Sequence, residues 1–243
     1  MQLIKKTQRF GLLLPSSNTT QEPEFAQMLP ASVSLHGARL TLSNIDPDST
    51  VSIMAELETE ARKLADADVD VVVLSATAPS TRMGKGYDKE VCDRIEQAAG
   101  KPATTAATAM LQAFEVLDIQ RIVMAAPWSE ATNAMVARFI EASNVSVIRQ
   151  AALGHVRNSE VGLLDSQTAY DLGRQVDDAN ADAIFLACGN WLTADIVHRL
   201  ERESGKPVLT TNNCAIWAAL RIMGGHKCVS GYGALLEKHL ATN

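Results

Sequence analysis

The sequence predicts an α/β protein made of two similar halves, each a parallel sheet flanked by helices. A pseudo-twofold relation between the halves would place the active site in the cleft between them. Two observations lead to this fold class. Short aliphatic runs alternate with amphipathic helical segments along most of the chain, as expected for consecutive βαβ units. The same order of landmarks then occurs twice, at nearly one spacing.

The first half begins with an apolar strand at residues 9–15 that ends at a proline, followed by a helix near residues 22–28. Imperfect alternation over residues 33–42 predicts a second strand. Residues 51–66 carry apolar side chains at intervals of three and four and predict an amphipathic helix. The remaining predicted elements are a buried strand at 70–75, a helix at 89–99, a short strand after the turn Gly100-Lys101-Pro102 and a helix at 108–117.

The second half repeats this order. Strand 121–127 lies 112 residues beyond strand 9–15, and the run 182–188 lies 112 residues beyond the run 70–76. A second Gly-Lys-Pro turn at 205–207 follows the first at an offset of 105. Helices are predicted near residues 194–204 and 215–223.

The repeat sets the predicted domain boundaries. We place the first half at residues 1–118 and the second at 119–207, with residues 208–243 crossing over to pack on the first half. The pseudo-twofold relation between the halves would bring the ends of strands 70–75 and 182–188 face to face. A cleft between two halves is a common place for a small-molecule site.

Composition limits the partners of the protein. A hydrophobic share of 47% and a charged share of 21% are ordinary for a soluble globular protein. The net charge of -6 leaves no basic stripe for nucleic acid. No apolar run approaches the roughly 18 residues of a membrane span, and the first nine residues lack the apolar core of a signal peptide. We therefore expect a cytoplasmic protein without a nucleic-acid or membrane partner.

Cys188 is the first candidate for catalysis. It ends the aliphatic run 182–188, and ligands of open α/β sheets bind at the carboxyl ends of strands. The other cysteines, Cys92, Cys214 and Cys228, form no Cys-x-x-Cys pair and have no histidine cluster nearby. We therefore predict no metal site, and we interpret these three as free thiols that pack as small hydrophobic side chains.

Two motifs resemble the Asp/Glu racemase superfamily, and in particular the maleate cis-trans isomerases. The run Pro15-Ser16-Ser17-Asn18 is similar to the Pro-Ser-Ser-Asn signature of those isomerases. Residues 158–162, which begin at Asn158, resemble their second asparagine motif. The likeness extends over nearly the whole chain.

The resemblance implies chemistry without a cofactor, at a carbon next to a carboxylate. In maleate isomerases, a first-half cysteine attacks the double bond and a second-half cysteine handles the proton. Asparagine side chains and backbone N–H groups hold the carboxylates. The implied partner is a small carboxylic acid, and a homodimer or homotetramer would be ordinary.

The sequence departs from this pattern at two positions. The 112-residue offset from Cys188 puts Ala76 where the first cysteine is expected, as a natural loss or as an introduced replacement. Trp128 stands where the family has a tyrosine. Arylmalonate decarboxylases of the same superfamily are single-cysteine members with a small residue at the first position. Their hydroxyl-rich carboxylate pocket is matched here only by Thr77, and they lack the Ser-Ser-Asn run.

The predicted site joins these positions. Cys188 is the predicted catalytic residue, Ala76 occupies the partner position, and proximity to a helix N-terminus is expected to lower the pKa of the Cys188 thiol. The predicted substrate-binding residues lie at strand ends or in the asparagine motifs: Ser16, Ser17, Asn18, Thr77, Ala78, Trp128, Asn158, Gly189 and Asn190.

Three functions remain open from the sequence. The leading interpretation is a cofactor-independent isomerase of the maleate isomerase type that acts on a small mono- or dicarboxylic acid through Cys188. The second is a single-cysteine decarboxylase or racemase of the arylmalonate decarboxylase type. The third is a non-catalytic carboxylate-binding protein.

Overall fold

A computed structural model describes residues 8–46, 48–225 and 228–240. Within these ranges, eight strands form two four-stranded sheets. The strands are β1 (Gln8–Pro15), β2 (Val33–Leu40), β3 (Val71–Leu74), β4 (Ala103–Thr105), β5 (Arg121–Trp128), β6 (Ser146–His155), β7 (Ala183–Leu186) and β8 (Val208–Thr210). The α-helices are α1 (Gln21–Met28), α2 (Ser49–Ser52), α3 (Leu57–Asp66), α4 (Thr77–Thr81), α5 (Tyr87–Ala99), α6 (Ala106–Val116), α7 (Glu130–Ala142), α8 (Asn158–Val161), α9 (Ser166–Val176), α10 (Val197–Ser204), α11 (Thr211–Ile222) and α12 (Ala234–Lys238).

The two sheets share one topology. The strand order is β2-β1-β3-β4 in the first and β6-β5-β7-β8 in the second, and every neighbouring pair is parallel. Registers repeat as well, since Phe10 pairs with Val71 and Ile122 pairs with Ala183. Both partners of the second pair lie 112 residues beyond those of the first. The predicted fold class of two similar parallel α/β halves is confirmed.

An aspartate clamp starts the central strand pair of each sheet. Asp70 Oδ2 accepts the backbone N–H of Arg9 at 2.6 Å, and Asp182 Oδ2 accepts that of Arg121 at 2.8 Å. The N–H of each aspartate in turn donates to the carbonyl of the same arginine, at 2.8 Å in both halves. These paired bonds align the first residues of the two strands in each sheet.

Glycines explain why the Gly-Lys-Pro turns recur. Gly100 and Gly205 follow α5 and α10 with φ angles of 64° and 71°, the left-handed conformation that glycine adopts without steric penalty. Their N–H groups donate to the carbonyls of Glu96 and Glu201, which closes the last helical turn. A proline two residues later prevents the helix from continuing.

The core explains which strands were predictable. All residues of β3 and β7 are buried, and both strands are aliphatic or aromatic throughout, as expected for parallel strands covered on both faces.

The C-terminal segment contacts both halves. The strand β8 pairs in the second sheet, whereas α11, which follows it, packs against α6, β3 and β4 of the first half. The exact domain boundaries stay a prediction.

The predicted helix over residues 51–66 is interrupted. The chain forms α2, a short 3₁₀ turn at Ile53–Ala55 and then α3. At the break, the Glu56 carboxylate accepts hydrogen bonds from the backbone N–H and the hydroxyl of Thr41, at 2.8 and 2.9 Å. A tertiary contact therefore coincides with the end of one helical segment and the start of the next.

The prediction did not include four elements of the second half, α7, β6, α8 and α9. Strand β6 lies at the edge of its sheet and exposes or half-exposes every residue, so its sequence carries no continuous aliphatic run.

In the described ranges, no helix combines the length and apolar character needed to cross a bilayer.

Candidate active site

A cavity lies where the strand ends of the two halves meet. Its volume is about 30 Å³, well below the roughly 300–1,000 Å³ of a typical ligand pocket. Both halves contribute to its wall. The lining residues are Pro15, Asn18, Leu42, Ile45, Ser75, Ala76, Thr77, Ala78, Pro79, Trp128, Asn158, Cys188, Gly189 and Asn190.

Most of the sequence-predicted site residues meet in this cavity. Ser16 and Ser17 are the two that do not appear in its wall. Ser17 Oγ donates to the carbonyl of Leu42, and Ser16 Oγ accepts the Leu42 N–H at 3.1 Å. The two serines therefore hold the segment that carries Leu42, instead of offering free hydroxyl groups to a ligand.

Leu42 and Ile45 are lining residues that sequence reasoning missed. Both lie in the connection after β2, which ends at Leu40 and not at residue 42 as the alternation predicted, and no sequence motif marks either residue as part of a site. Backbone hydrogen bonds from Ile45 N to Val156 O (2.7 Å) and from Asn158 N to Ser43 O (2.9 Å) join this connection to the other half. The cavity wall on this side depends on pairing between segments more than 100 residues apart in the sequence.

Ala76 and Cys188 face the same cavity from equivalent places. Ala76 lies two residues beyond the end of β3, and Cys188 lies two residues beyond the end of β7. One half therefore contributes a methyl group where the other contributes a thiol. Cys188 is the one cysteine among the lining residues.

The backbone of Cys188 is strained. Its φ angle is 128°, in a region that residues with a side chain rarely adopt. Its N–H donates to Thr211 Oγ1 at 3.0 Å, and Thr211 Oγ1 lies 2.8 Å from Thr77 Oγ1. Strain of this kind typically costs about 1–3 kcal/mol and tends to occur at functional sites, where surrounding contacts enforce it.

The expectation of a lowered thiol pKa is wrong. Burial raises the pKa of Cys188 to about 12, while hydrogen bonds from the backbone N–H groups of Asn190 and Trp191 act in the opposite direction. The helix that follows Cys188 in the sequence begins only at Val197, nine residues later. The thiol is therefore protonated at neutral pH, and the two N–H groups are placed to receive the thiolate once the proton has left.

The Asn18 amide combines a structural bond with a free donor. Its Oδ1 accepts the N–H groups of Thr20 and Gln21 at 3.0 and 2.9 Å, which satisfies the start of α1. Its Nδ2 donates to Gln21 Oε1 at 2.9 Å. Among the described residues, the second N–H of this amide has no protein acceptor, so it is available to a ligand in the cavity.

Asn158 has a free N–H group for a ligand, whereas Asn190 holds Asn158 in place. Asn158 Nδ2 donates to Ser17 Oγ at 2.9 Å, and across the described chain its second N–H also lacks an acceptor. Asn190 Nδ2 donates to the carbonyl and to Oδ1 of Asn158, at 2.6 and 3.2 Å, while its Oδ1 accepts the N–H of Thr19 at 2.9 Å. Asn190 therefore braces Asn158 against the first half, and Asn158 is the better candidate for a carboxylate ligand.

Trp128 gives the cavity an apolar face. Its Nε1 donates to Asn133 Oδ1 at 3.0 Å, and Asn133 is itself held by a bond to Gln150 Oε1 at 3.1 Å. The indole N–H is thus used away from any ligand. The Thr77 hydroxyl group is hydrogen-bonded to that of Thr211, and the backbone N–H groups at the start of α4 are further donors for an anion.

None of the fourteen lining residues carries a charge. An anion in this cavity would be held by neutral donors, namely amide, hydroxyl and backbone N–H groups, as in an oxyanion hole. Within residues 8–46, 48–225 and 228–240, no group of three or more His, Cys, Asp or Glu side chains is arranged to hold a metal ion.

Two parallel α/β halves of one topology, with a cysteine at a strand end beside the cleft, define a protein of the Asp/Glu racemase-like class. Comparison with known sequences narrows the class. The chain belongs to the arylmalonate decarboxylase family, whose sequence profile matches residues 10–236.

Individual relatives agree with this assignment. A maleate isomerase from Pseudomonas putida is 29% identical over 242 residues, covering 94% of this chain and 97% of that protein. The arylmalonate decarboxylase of Bordetella bronchiseptica is 26% identical over 235 residues, covering 96% and 98%. The crystal structure of a maleate isomerase variant from Pseudomonas putida S16 with maleate has a TM-score of 0.92 at 22% identity, covering 96% and 98%. This last likeness shows a common fold, and the chain is a member of an enzyme family.

Proposed function

We propose that this protein is a cofactor-independent enzyme that decarboxylates a small malonate-type acid, with Cys188 as the proton donor. The observation that carries the proposal is the single protonated thiol of Cys188 opposite the methyl group of Ala76. Such a site contains a general acid and lacks a second thiol to act as nucleophile or base.

The reaction balances with these groups. The bond between the α-carbon and one carboxylate breaks, carbon dioxide leaves, and the electron pair remains as an enediolate on the other carboxyl group. The Cys188 S–H then protonates the α-carbon, and solvent later returns a proton to the thiolate. Positioned general acids contribute typically about 10²–10⁴-fold to the rate.

Neutral donors would stabilise the enediolate. The free N–H groups of Asn18 and Asn158 and the backbone N–H groups after Ala76 are fixed before the substrate arrives. A single preorganised donor at an oxyanion is worth roughly 3–4 kcal/mol of barrier. Because these donors need no rearrangement, they act where charge develops.

The apolar face supports loss of carbon dioxide. Leu42, Ile45 and Trp128 line the cavity, and no lysine or arginine among the lining residues neutralises a second carboxylate. A carboxylate placed against this face gains by leaving as a neutral molecule.

Maleate isomerisation is the second candidate, and the motif residues Pro15 to Asn18 together with the similarity to maleate isomerases favour it. Here the attacking group would have to be Cys188 itself, since Ala76 has no nucleophilic atom. The raised pKa of Cys188 works against this attack, because the thiolate is the nucleophilic form.

One set of assays separates these functions. Phenylmalonate and alkylated phenylmalonates are tested for carbon dioxide release in D₂O, and maleate is tested for conversion to fumarate by ultraviolet absorbance. We expect carbon dioxide release with one deuterium at the α-carbon, abolished in Cys188→Ala. Fumarate formation without decarboxylation would favour the second candidate. Calorimetric binding without any turnover, or full activity in Cys188→Ala, would refute the proposal.

A further inference from the structure

Glu24 is a buried carboxyl group that the mechanism above does not use. It lies on α1 with a relative exposure of 1% and does not line the cavity. Its Oε1 accepts the backbone N–H groups of Thr193 and Ala194 at 2.6 and 2.9 Å, and its Oε2 accepts Asn212 Nδ2 at 2.7 Å. All three partners are donors, so the carboxyl group serves purely as an acceptor.

A relay of side-chain amides leads from Glu24 to the cavity. Asn212 Oδ1 accepts Gln21 Nε2 at 3.2 Å, and Gln21 Oε1 accepts Asn18 Nδ2 at 2.9 Å. Glu24 and Gln21 belong to α1 of the first half, Asn212 belongs to α11, and residues 193 and 194 belong to the second half. The relay therefore crosses between the halves and ends on a lining residue.

The direction of the relay is fixed at both ends by backbone groups. The N–H groups of Thr193 and Ala194 face Glu24, and those of Thr20 and Gln21 face Asn18 Oδ1. Backbone donors cannot exchange roles with acceptors, whereas a side-chain amide can turn over. With an acceptor at position 24, each amide between the two ends has one orientation that satisfies every bond.

The relay also packs against the residues next to Ala76 and Cys188. Gln21 Nε2 donates to the carbonyl of Ser75, the residue before Ala76, at 2.8 Å. A Cβ atom built on Gly189, the residue after Cys188, would lie 2.2 Å from the same Nε2. Gln21 therefore packs against both strand ends, and glycine at 189 provides the room.

We propose that Glu24 is a positioning residue for the reaction at Cys188. As a fixed acceptor it holds Asn212 and Gln21 in the orientation that leaves one Asn18 N–H free for the substrate carboxylate. It also ties Asn18 to the turn that follows Cys188. The proposal rests on the proposed function in one respect, namely that Asn18 binds the carboxylate.

Glu24→Gln tests the relay with little change in size. The new amide N–H₂ must face either the backbone N–H groups of residues 193 and 194 or the side-chain N–H₂ of Asn212. In whichever contact it faces, two hydrogen-bond donors then oppose each other and the hydrogen bond is lost. Glu201→Gln is the matched control, since Glu201 is half-buried and likewise accepts two backbone N–H groups, those of Val208 and Ala234, at 2.9 and 3.1 Å. Glu201 does not line the cavity.

The first measurement needs no substrate. Side-chain amide signals of Asn18, Gln21 and Asn212 are assigned by mutation and followed by ¹H–¹⁵N NMR in the full-length protein. We expect Glu24→Gln to shift all three signals, including that of Asn18, and Glu201→Gln to leave them in place. If Glu24→Gln does not fold, Asn212→Ala cuts the relay at its middle and should still shift the Asn18 signal.

The second measurement is a double-mutant cycle in the substrate assay. We expect Glu24→Gln to lower kcat/KM by about tenfold, mainly through KM, and by less than about twofold when Asn18 is already alanine. An unmoved Asn18 signal, or additive effects on kcat/KM, would overturn the positioning role. Shifted signals in a protein that turns over no acid would support the relay and refute the proposed function.

Discussion

Ala76 and Cys188 are structural counterparts that line one cavity from opposite halves, each two residues beyond the end of a buried central strand. The fold repeats around them, but the chemistry does not, because a methyl group faces a thiol. In the proposed reaction, this asymmetry would restrict proton delivery to one side of the substrate. It is also the feature that separates a one-thiol reaction from a two-thiol reaction.

Adding a thiol at the empty position should change the outcome of the reaction. Ala76→Cys would place a second acid on the opposite face of the α-carbon. We expect the wild-type protein to convert an alkylated phenylmalonate into one enantiomer of the arylalkanoate product and the variant to give both enantiomers. Chiral chromatography measures the product.

The matched control for that substitution is Ala76→Ser, which is similar in size and lacks the thiol. Both enantiomers from both variants would assign the change to altered packing. A folded Ala76→Cys protein that still gives one enantiomer would contradict the assignment of the two positions as opposed faces.

The strained backbone at Cys188 predicts an unusual order of stabilities. Glycine adopts a φ of 128° without the steric penalty that a side chain meets. We therefore expect Cys188→Gly to unfold at a higher temperature than Cys188→Ala. A difference of about 1 kcal/mol corresponds to roughly 2–4 °C for a chain of this size.

Thermal denaturation followed by circular dichroism measures this difference, and both variants should lack activity. An alanine variant as stable as the glycine variant, or more so, would show that the positive φ carries no strain.

The protonated state of Cys188 predicts slow reaction with alkylating agents. Because burial raises the pKa of the Cys188 thiol to about 12, very little of it is present as the nucleophilic thiolate at pH 8. We expect the rate of iodoacetamide modification at Cys188 to keep rising with pH through pH 10. Peptide mass spectrometry follows the site, and the exposed Cys228 serves as an internal reference.

Restricted entry of iodoacetamide to the buried thiol would, by itself, lower the modification rate at all pH values without changing the shape of its pH dependence. A rate at Cys188 that levels off below about pH 9 would therefore contradict a protonated thiol and would revive the nucleophilic role.

The aspartate clamp at Asp182 predicts a pH-dependent contribution to stability. Hydrogen bonds from Arg121 and from the backbone N–H groups of residues 120 and 121 lower the pKa of Asp182. For a carboxyl group whose pKa is lower in the folded state, the stabilisation is present above the unfolded-state value and is lost as the pH falls through the folded-state value. Asp182→Asn should therefore lower the melting temperature at pH 7 and have progressively less effect below about pH 4.

A loss of about 1 kcal/mol, or roughly 2–4 °C, is expected at pH 7. Asp66→Asn, at an exposed position near the end of α3, is the control and should change little at either pH. An equal loss for Asp182→Asn at pH 7 and pH 3 would show that the charge of the clamp does not matter.

The sequence by itself determined the halves and their central strands. Buried parallel strands carry continuous aliphatic runs, so the sequence predicts β1, β3, β5 and β7. The 112-residue offset of the duplication assigns Ala76 as the counterpart of Cys188. The exposed edge strand β6 had no such run and was missed.

Only the tertiary structure decided how the site works. Leu42 enters the cavity wall, Asn18 and Glu24 become joined through Gln21 and Asn212, and the pKa of Cys188 rises instead of falling. Periodicity in a sequence records how deeply each element is buried. The orientation of an amide or the protonation of a thiol depends on groups that folding brings together from distant parts of the chain, and no local pattern encodes them.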